Sequence, residues 1–251
     1  MKQITLRVLF ISMCILGFVA CNIINSSNAD SQEENHVIAS IPEASGISYC
    51  NNTDTLIVVS DEGSFYEINS DGDILATHEL GDYDFEGVVC EDKKLMLAVE
   101  GEGLLRVDRE SLQTKFFELK GDGYKISKKR GIEGLSKIKK RYYLSIQSKN
   151  EEDSKLLAVK FKGDCAKVKK VINHGIIDSS GLTYKNKKLY IISDTNDALY
   201  IYNIKKKEIE KEIELPKFAQ EGVAFGKDND IFFADDDGAV LKYTLDELGI
   251  K

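Results

Sequence analysis

The chain has 251 residues, 42% of them hydrophobic, and carries 42 Asp and Glu against 34 Lys and Arg, a formal net charge of −8. An acidic balance of this kind argues against nucleic acid and anionic lipid surfaces as partners and favours cations. The absence of Trp and the two prolines decide nothing.

At the N-terminus, Lys2 and Arg7 precede an apolar run from Val8 to Ala20, 13 residues long. That is too short for the ~20 residues of a spanning helix and reads as a secretory signal. The run ends Phe18-Val19-Ala20-Cys21, which resembles the lipobox of bacterial lipoproteins, where the cysteine is lipidated and becomes the new N-terminus. Cys21 is therefore expected to anchor the chain to a bacterial membrane in the cell envelope. Removal of the signal takes away Lys2 and Arg7 and no acid, so the net charge moves from −8 to −10. Residues 21–35 are rich in Asn, Ser, Asp and Glu, with too few apolar side chains to order themselves, and read as a tether. Residues 36–248 form the expected folded domain.

Within that domain a dipeptide recurs: Ser45-Gly46, Glu86-Gly87, Glu133-Gly134, Ser180-Gly181 and Glu221-Gly222. Each opens a unit of roughly 40 to 47 residues with four short strands, the mark of a β-propeller. The first unit gives strands over Ile47 to Cys50, Leu56 to Ser60, Phe65 to Asn69 and Asp73 to Leu80, with Ser70-Asp71-Gly72 as a turn. The fourth is the clearest, with Leu182 to Tyr184, Leu189 to Ser193 and Leu199 to Asn203 as buried apolar runs and Glu208 to Leu215 alternating as an outer strand. The last unit supplies only three strands before the chain ends. His36 to Ile41 is strand-like and supplies the fourth, so the prediction is an all-β, five-bladed propeller closed by an N-terminal strand added to the last blade. Closure removes exposed sheet edges. Only the tail, Leu245 to Lys251, has helical propensity.

In a propeller blade the first strand runs down the channel and the second runs back, so the start of one and the end of the other share a face near the axis. The starts give Glu86, Glu133 and Glu221, with Ser45 and Ser180; the ends give Asp61, Glu100, Asp194 and Asp235, with Gln147. Carboxylates so crowded repel unless protonated or neutralised by a cation. Oxygen-only ligands without His or Cys favour a hard ion, and flexible carboxylates suit Ca²⁺ better than Mg²⁺. The alternative is that each glycine only permits a tight strand entry and each terminal acid belongs to a turn. Asp235-Asp236-Asp237-Gly238 lacks the rest of an EF-hand and reads as a turn. The third unit has a long entry connection carrying Lys125, Lys128, Lys129 and Arg130, and a second connection with Lys149, Glu151, Glu152 and Asp153. Together these are expected to form a lip, with Lys129 and Arg130 as candidate anion-binding residues; a solvated basic loop is the competing reading. His36, His78 and His174 lack metal-ligand spacing and are expected at the surface. Outside the signal and anchor, Cys50, Cys90 and Cys165 remain. Cys50 and Cys90 end the first strands of neighbouring units, where innermost strands are expected to diverge, so two buried free thiols are expected rather than a disulfide.

Glu43-Ala44-Ser45-Gly46-Ile47-Ser48, Val58-Val59-Ser60-Asp61-Glu62-Gly63 and Asp84-Phe85-Glu86-Gly87-Val88 resemble the SdiA-regulated family of bacterial envelope propellers, and Arg130-Gly131-Ile132-Glu133-Gly134-Leu135 and Gln220-Glu221-Gly222-Val223-Ala224 are similar to its later repeats. The resemblance covers about residues 36 to 248. It implies a five-bladed propeller with calcium-linked or metal-binding roles and a distant kinship to phytase-like and esterase-like propellers. Where those enzymes hold several metals and a dense basic pocket, this chain offers only Lys128 to Arg130. The expected function is a monomeric, lipid-anchored binding or regulatory propeller that holds calcium and, through it, an anionic small molecule or an envelope protein. A metal-dependent phosphoesterase and a pure interaction scaffold are the alternatives.

Overall fold

A computed structural model of the chain describes residues 36–127 and 130–250; the expected signal, the Cys21 anchor, the tether, Lys128 and Lys129 lie outside the described residues. Four antiparallel meanders follow one another. The first comprises β2 (Ala44–Cys50), β3 (Thr55–Ser60), β4 (Ser64–Ile68) and β5 (Ile74–Glu79). The second comprises β6 (Phe85–Glu91), β7 (Lys94–Val99), β8 (Gly103–Asp108) and β9 (Thr114–Lys120). The third comprises β10 (Ile132–Ile138), β11 (Arg141–Ile146), β12 (Lys155–Lys162) and β13 (Cys165–Asn173). The fourth comprises β14 (Ser179–Lys185), β15 (Lys188–Ser193), β16 (Ala198–Asn203) and β17 (Glu208–Glu214). A last group, β18 (Gln220–Phe225), β19 (Asp230–Asp235) and β20 (Ala239–Thr244), is completed by β1 (Val37–Ser40), which lies beside β20.

Each second strand is mostly apolar and buried along nearly its whole length because both of its faces are covered. All six residues of β3 are buried, and side chains alternate across a strand. Accordingly Leu56 and Val58 pack with Phe232, Ala234 and Val240 of the last group, while Ile57 and Val59 pack with Phe85, Leu95 and Leu97 of the second. The same division recurs in β7, where Leu95 and Leu97 face backward and Met96 and Ala98 face forward. The interior is therefore five separate cores, one between each pair of neighbouring groups, and the cycle closes on itself. Innermost strands follow the same cycle: β2 packs on β6, β6 on β10, β10 on β14, β14 on β18, and β18 on β2.

Three features depart from the sequence expectations. Outer strands β9 and β13 pair in parallel, Cys165 opposite Glu118 and Lys167 opposite Lys120, so the second and third groups share one eight-stranded sheet. Residues 245–249 form turns rather than a helix; Leu245 N–H donates to Asn229 and Ile250 N–H to Leu245, tying the tail to the sheet. His174 is buried at 6% exposure rather than on the surface, with its Nδ1 accepting from Ile176 N–H at 3.2 Å.

Candidate functional site: an acidic mouth above a glycine waist

The recurring dipeptide is a β-bulge. In the first group Ala44 faces Ser60 and Gly46 faces Val59, leaving Ser45 as the extra residue. Register shifts at the same place put an extra residue into β6, β10, β14 and β18. A bulge re-aims the inserted side chain out of the ladder, and here it turns glutamates toward one another. One carboxylate oxygen of each of Glu86, Glu133 and Glu221 lies within 4.8 Å of those of the other two. The two serines have another role: Ser45 Oγ donates to the carbonyl of Phe85, and Ser180 Oγ to that of Gln220 at 2.5 Å. Each staples one innermost strand to the next.

The following glycine is required by backbone approach. A Cβ on Gly222 would stand 2.8 Å from Ile47 N and 3.0 Å from Gly46 Cα, and one on Gly87 would stand 2.9 Å from Leu135 N. Real side chains do not tolerate such contacts against backbone, so only glycine fits. The five glycines and their flanking residues pinch the axis to a free space of only about 10 Å³.

Above this waist the three glutamates lie among other acids. Glu133 is 6% exposed. Burial first, then Glu100, Asp178 and Asp84, raise its pKa. Burial followed by Glu133 and Glu221 raises that of Glu86, with a carboxyl–carboxyl hydrogen bond to Asp84 adding to it, and burial followed by Glu133 and Asp194 raises that of Glu221. Every charged neighbour acting on these three is another acid. At this separation each ionised pair repels by roughly 3 kcal/mol at an effective dielectric of 20, so the trio holds protons or a cation.

Of the seven acids expected at this mouth, Glu86, Glu133 and Glu221 converge, Glu100 acts on Glu133, and Asp194 acts on Glu221 while its Oδ1 accepts from Gln220 N–H at 3.1 Å. Asp61 joins a second set with Glu43 and Asp236, each offering an oxygen within 4.8 Å of the others. Burial and these neighbours push the Asp61 carboxyl up to about 6. Asp235 belongs to neither set; it is buried in the strand opposite Gln220, and its carboxylate accepts from Asp237 N–H at 3.0 Å. Asp236 takes its expected place, because Asp236 N–H donates to Ala219 as Asp61 N–H does to Glu43 and Glu100 N–H to Asp84. The cause is hairpin length: five residues separate the paired Phe225 and Ile231, against four between the equivalent Cys90 and Leu95, so equal spacing from the glycine falls one residue short. Glu43, Asp84 and Asp178 were not anticipated, yet each stands two residues before a Ser-Gly or Glu-Gly pair.

The connections of the third group do meet. Arg130 Nη2 donates to Asp153 Oδ2 at 3.1 Å, beside the 3₁₀ turn Glu151–Asp153. Arg130 is thereby already paired with an anion of its own chain. At the far ends of the innermost strands, Cys50 and Cys90 form a disulfide across a Cα separation of 5.4 Å, contrary to the expectation of free thiols. The strands do not diverge there, since Cys90 N–H donates to Ser48 Oγ at 3.0 Å. Cys165 is free.

A cyclic array of meanders around a pinched axis is the architecture of a β-propeller, and solved structures share it. A glutaminyl cyclase from Myxococcus xanthus superposes with a TM-score of 0.63 at 13% identity, over 82% of this chain and 92% of that one. The PQQ-bound aldose sugar dehydrogenase from Streptomyces coelicolor does so with a TM-score of 0.50 at 11% identity, over 82% and 95%. At such identities the likeness is one of fold. No curated protein matches the sequence. The chain belongs to the SdiA-regulated family, whose model matches residues 27–234.

Proposed function

We propose that this chain is a lipid-anchored, extracytoplasmic, five-bladed propeller that holds a calcium ion at the mouth formed by Glu86, Glu133 and Glu221. The observation that carries the reading is the convergence of three carboxylates within 4.8 Å in a site where Glu133 is 6% exposed and no described cation balances them. Carboxylate oxygens alone, without imidazole or thiolate, are the donor set of a hard ion, and calcium tolerates the irregular geometry of three bulge residues. A bound calcium supplies two positive charges where protons otherwise sit, and a site to which a carboxylate or phosphate of an envelope ligand attaches. Glu100 and Asp194 flank the trio and add negative field.

The closed cycle of five inter-sheet cores, with β1 completing the last group, supports the blade count. A disulfide between Cys50 and Cys90 supports an oxidising compartment, in keeping with the signal and lipobox-like residues ending at Cys21. The phosphoesterase alternative loses its anion clamp, because Arg130 is paired with Asp153. Calorimetric titration of metal-stripped protein with Ca²⁺ tests the reading. Saturable heat and a raised melting temperature are expected from linkage; absence of both in the wild type overturns it.

A further inference from the structure

The opposite mouth of the channel has the reverse chemistry. Below the glycine waist the ends of all five innermost strands line a cavity of 390 Å³ whose walls include Lys137 and Lys185 and no Asp or Glu. In a chain of net charge −8, a cavity lined by no acid and by two lysines, one of them paired outside it, favours an anion. The second residue after each glycine is Ser48, Val89, Ser136, Thr183 and Ala224, so three of the five are hydroxyls at one level of the axis.

These groups have spare hydrogen-bonding capacity. Ser136 is 5% exposed and lines the cavity, with no described hydrogen-bond partner for its hydroxyl. Ser48 Oγ accepts from Cys90 N–H, leaving its own proton to donate. Among the described residues the Lys185 ammonium has no carboxylate partner; it makes a 3.5 Å contact to the carbonyl of Gly226 and lies 4.7 Å from the centre of the Phe225 ring. Burial holds its pKa below the usual lysine range, the mark of an ammonium short of compensating charge. Lys137 is engaged with Glu91 at 2.7 Å, outside the cavity lining.

We propose that this mouth binds a small oxyanion, a carboxylate or a phosphate, between the Lys185 ammonium and the hydroxyls of Ser136 and Thr183. The site is independent of the glutamate mouth, from which the waist separates it. Titration of the full domain with inorganic phosphate and, separately, with succinate, followed by amide NMR shifts, tests the assignment. The expected result is saturable shifts at residues 136, 183 and 185 with one or both ions, the responding ion telling phosphate from carboxylate. Lys185→Met should weaken binding at least tenfold, whereas Lys169→Met, on the outer strand β13, should leave it unchanged. Should Lys185→Met not fold, Ser136→Ala and Thr183→Val provide the same reading with a loss of threefold or more. No saturable shift at these residues with either ion, or undiminished binding in the substituted cavity, overturns the proposal.

Discussion

Glu133 sits where an ionised carboxylate is least welcome, 6% exposed and surrounded by further acids. Replacing it with Gln removes one charge, so the metal-free Glu133→Gln protein should gain about 1–2 kcal/mol at pH 8 by chemical denaturation while losing its stabilisation by Ca²⁺. The pH dependence has a definite sign. Unfolded glutamates ionise near 4.5, whereas Glu86, Glu133 and Glu221 hold their protons to higher pH when folded. Their contribution is thus complete below 4.5 and drains away as pH rises through the folded values. His174 acts oppositely: burial pushes it down from 6.5 to about 4, so its contribution is present above 6.5 and is lost as pH falls toward 4. Between pH 7 and 9 the glutamates dominate among these groups, and the melting temperature of metal-stripped protein should fall across that window. Saturating Ca²⁺ should flatten the fall; a flat profile without metal contradicts the account. The glutamates were legible in sequence because each precedes a recurring glycine. Asp235 was misplaced by one residue because spacing from that glycine does not register the longer hairpin after Phe225.

At the scale of elements, the bulge unites the repeat and the site. The inserted residue faces the axis, and the glycine after it lets five backbones approach one another. Gly222→Ala must displace the backbone at Ile47, and a loss of about 1–3 kcal/mol in denaturant unfolding is expected. Strand identity was legible because each buried second strand is a largely apolar run, Leu56 to Val59 in β3 for example. The parallel pairing of β9 with β13 was not, because it depends on how far two outer strands lean toward each other, which no local pattern records. The disulfide was missed for a related reason. The innermost strands were expected to diverge at their far ends, whereas close packing of β2 on β6 holds Cys50 and Cys90 together there. Replacing both cysteines with Ala removes a link across a sequence separation of 40. A loss of roughly 2–4 kcal/mol relative to the oxidised wild type is expected, and the same loss should appear when the wild type is reduced.

For the whole molecule, closure is the event that makes function possible. The acids of β6, β10 and β18 are far apart in sequence and meet only because the last group, completed by β1, packs back on the first. The proposed anchor belongs to this scale as well: Cys21→Ser should move the protein from the membrane fraction to the soluble one without changing its calcium-dependent melting. The overall plan was readable from five repeats and a displaced strand. The polarity of the axis, acidic at one mouth and basic at the other, is not legible in any one strand, because Lys137 and Lys185 stand at different distances past their glycines and meet only in the shared cavity. The most direct test is a crystal of the domain grown in calcium. The account predicts a single ion ligated by oxygens of Glu86, Glu133 and Glu221 at about 2.3–2.6 Å. An acidic mouth without that ion, its three glutamates turned apart or hydrogen-bonded to one another at saturating calcium, would contradict it.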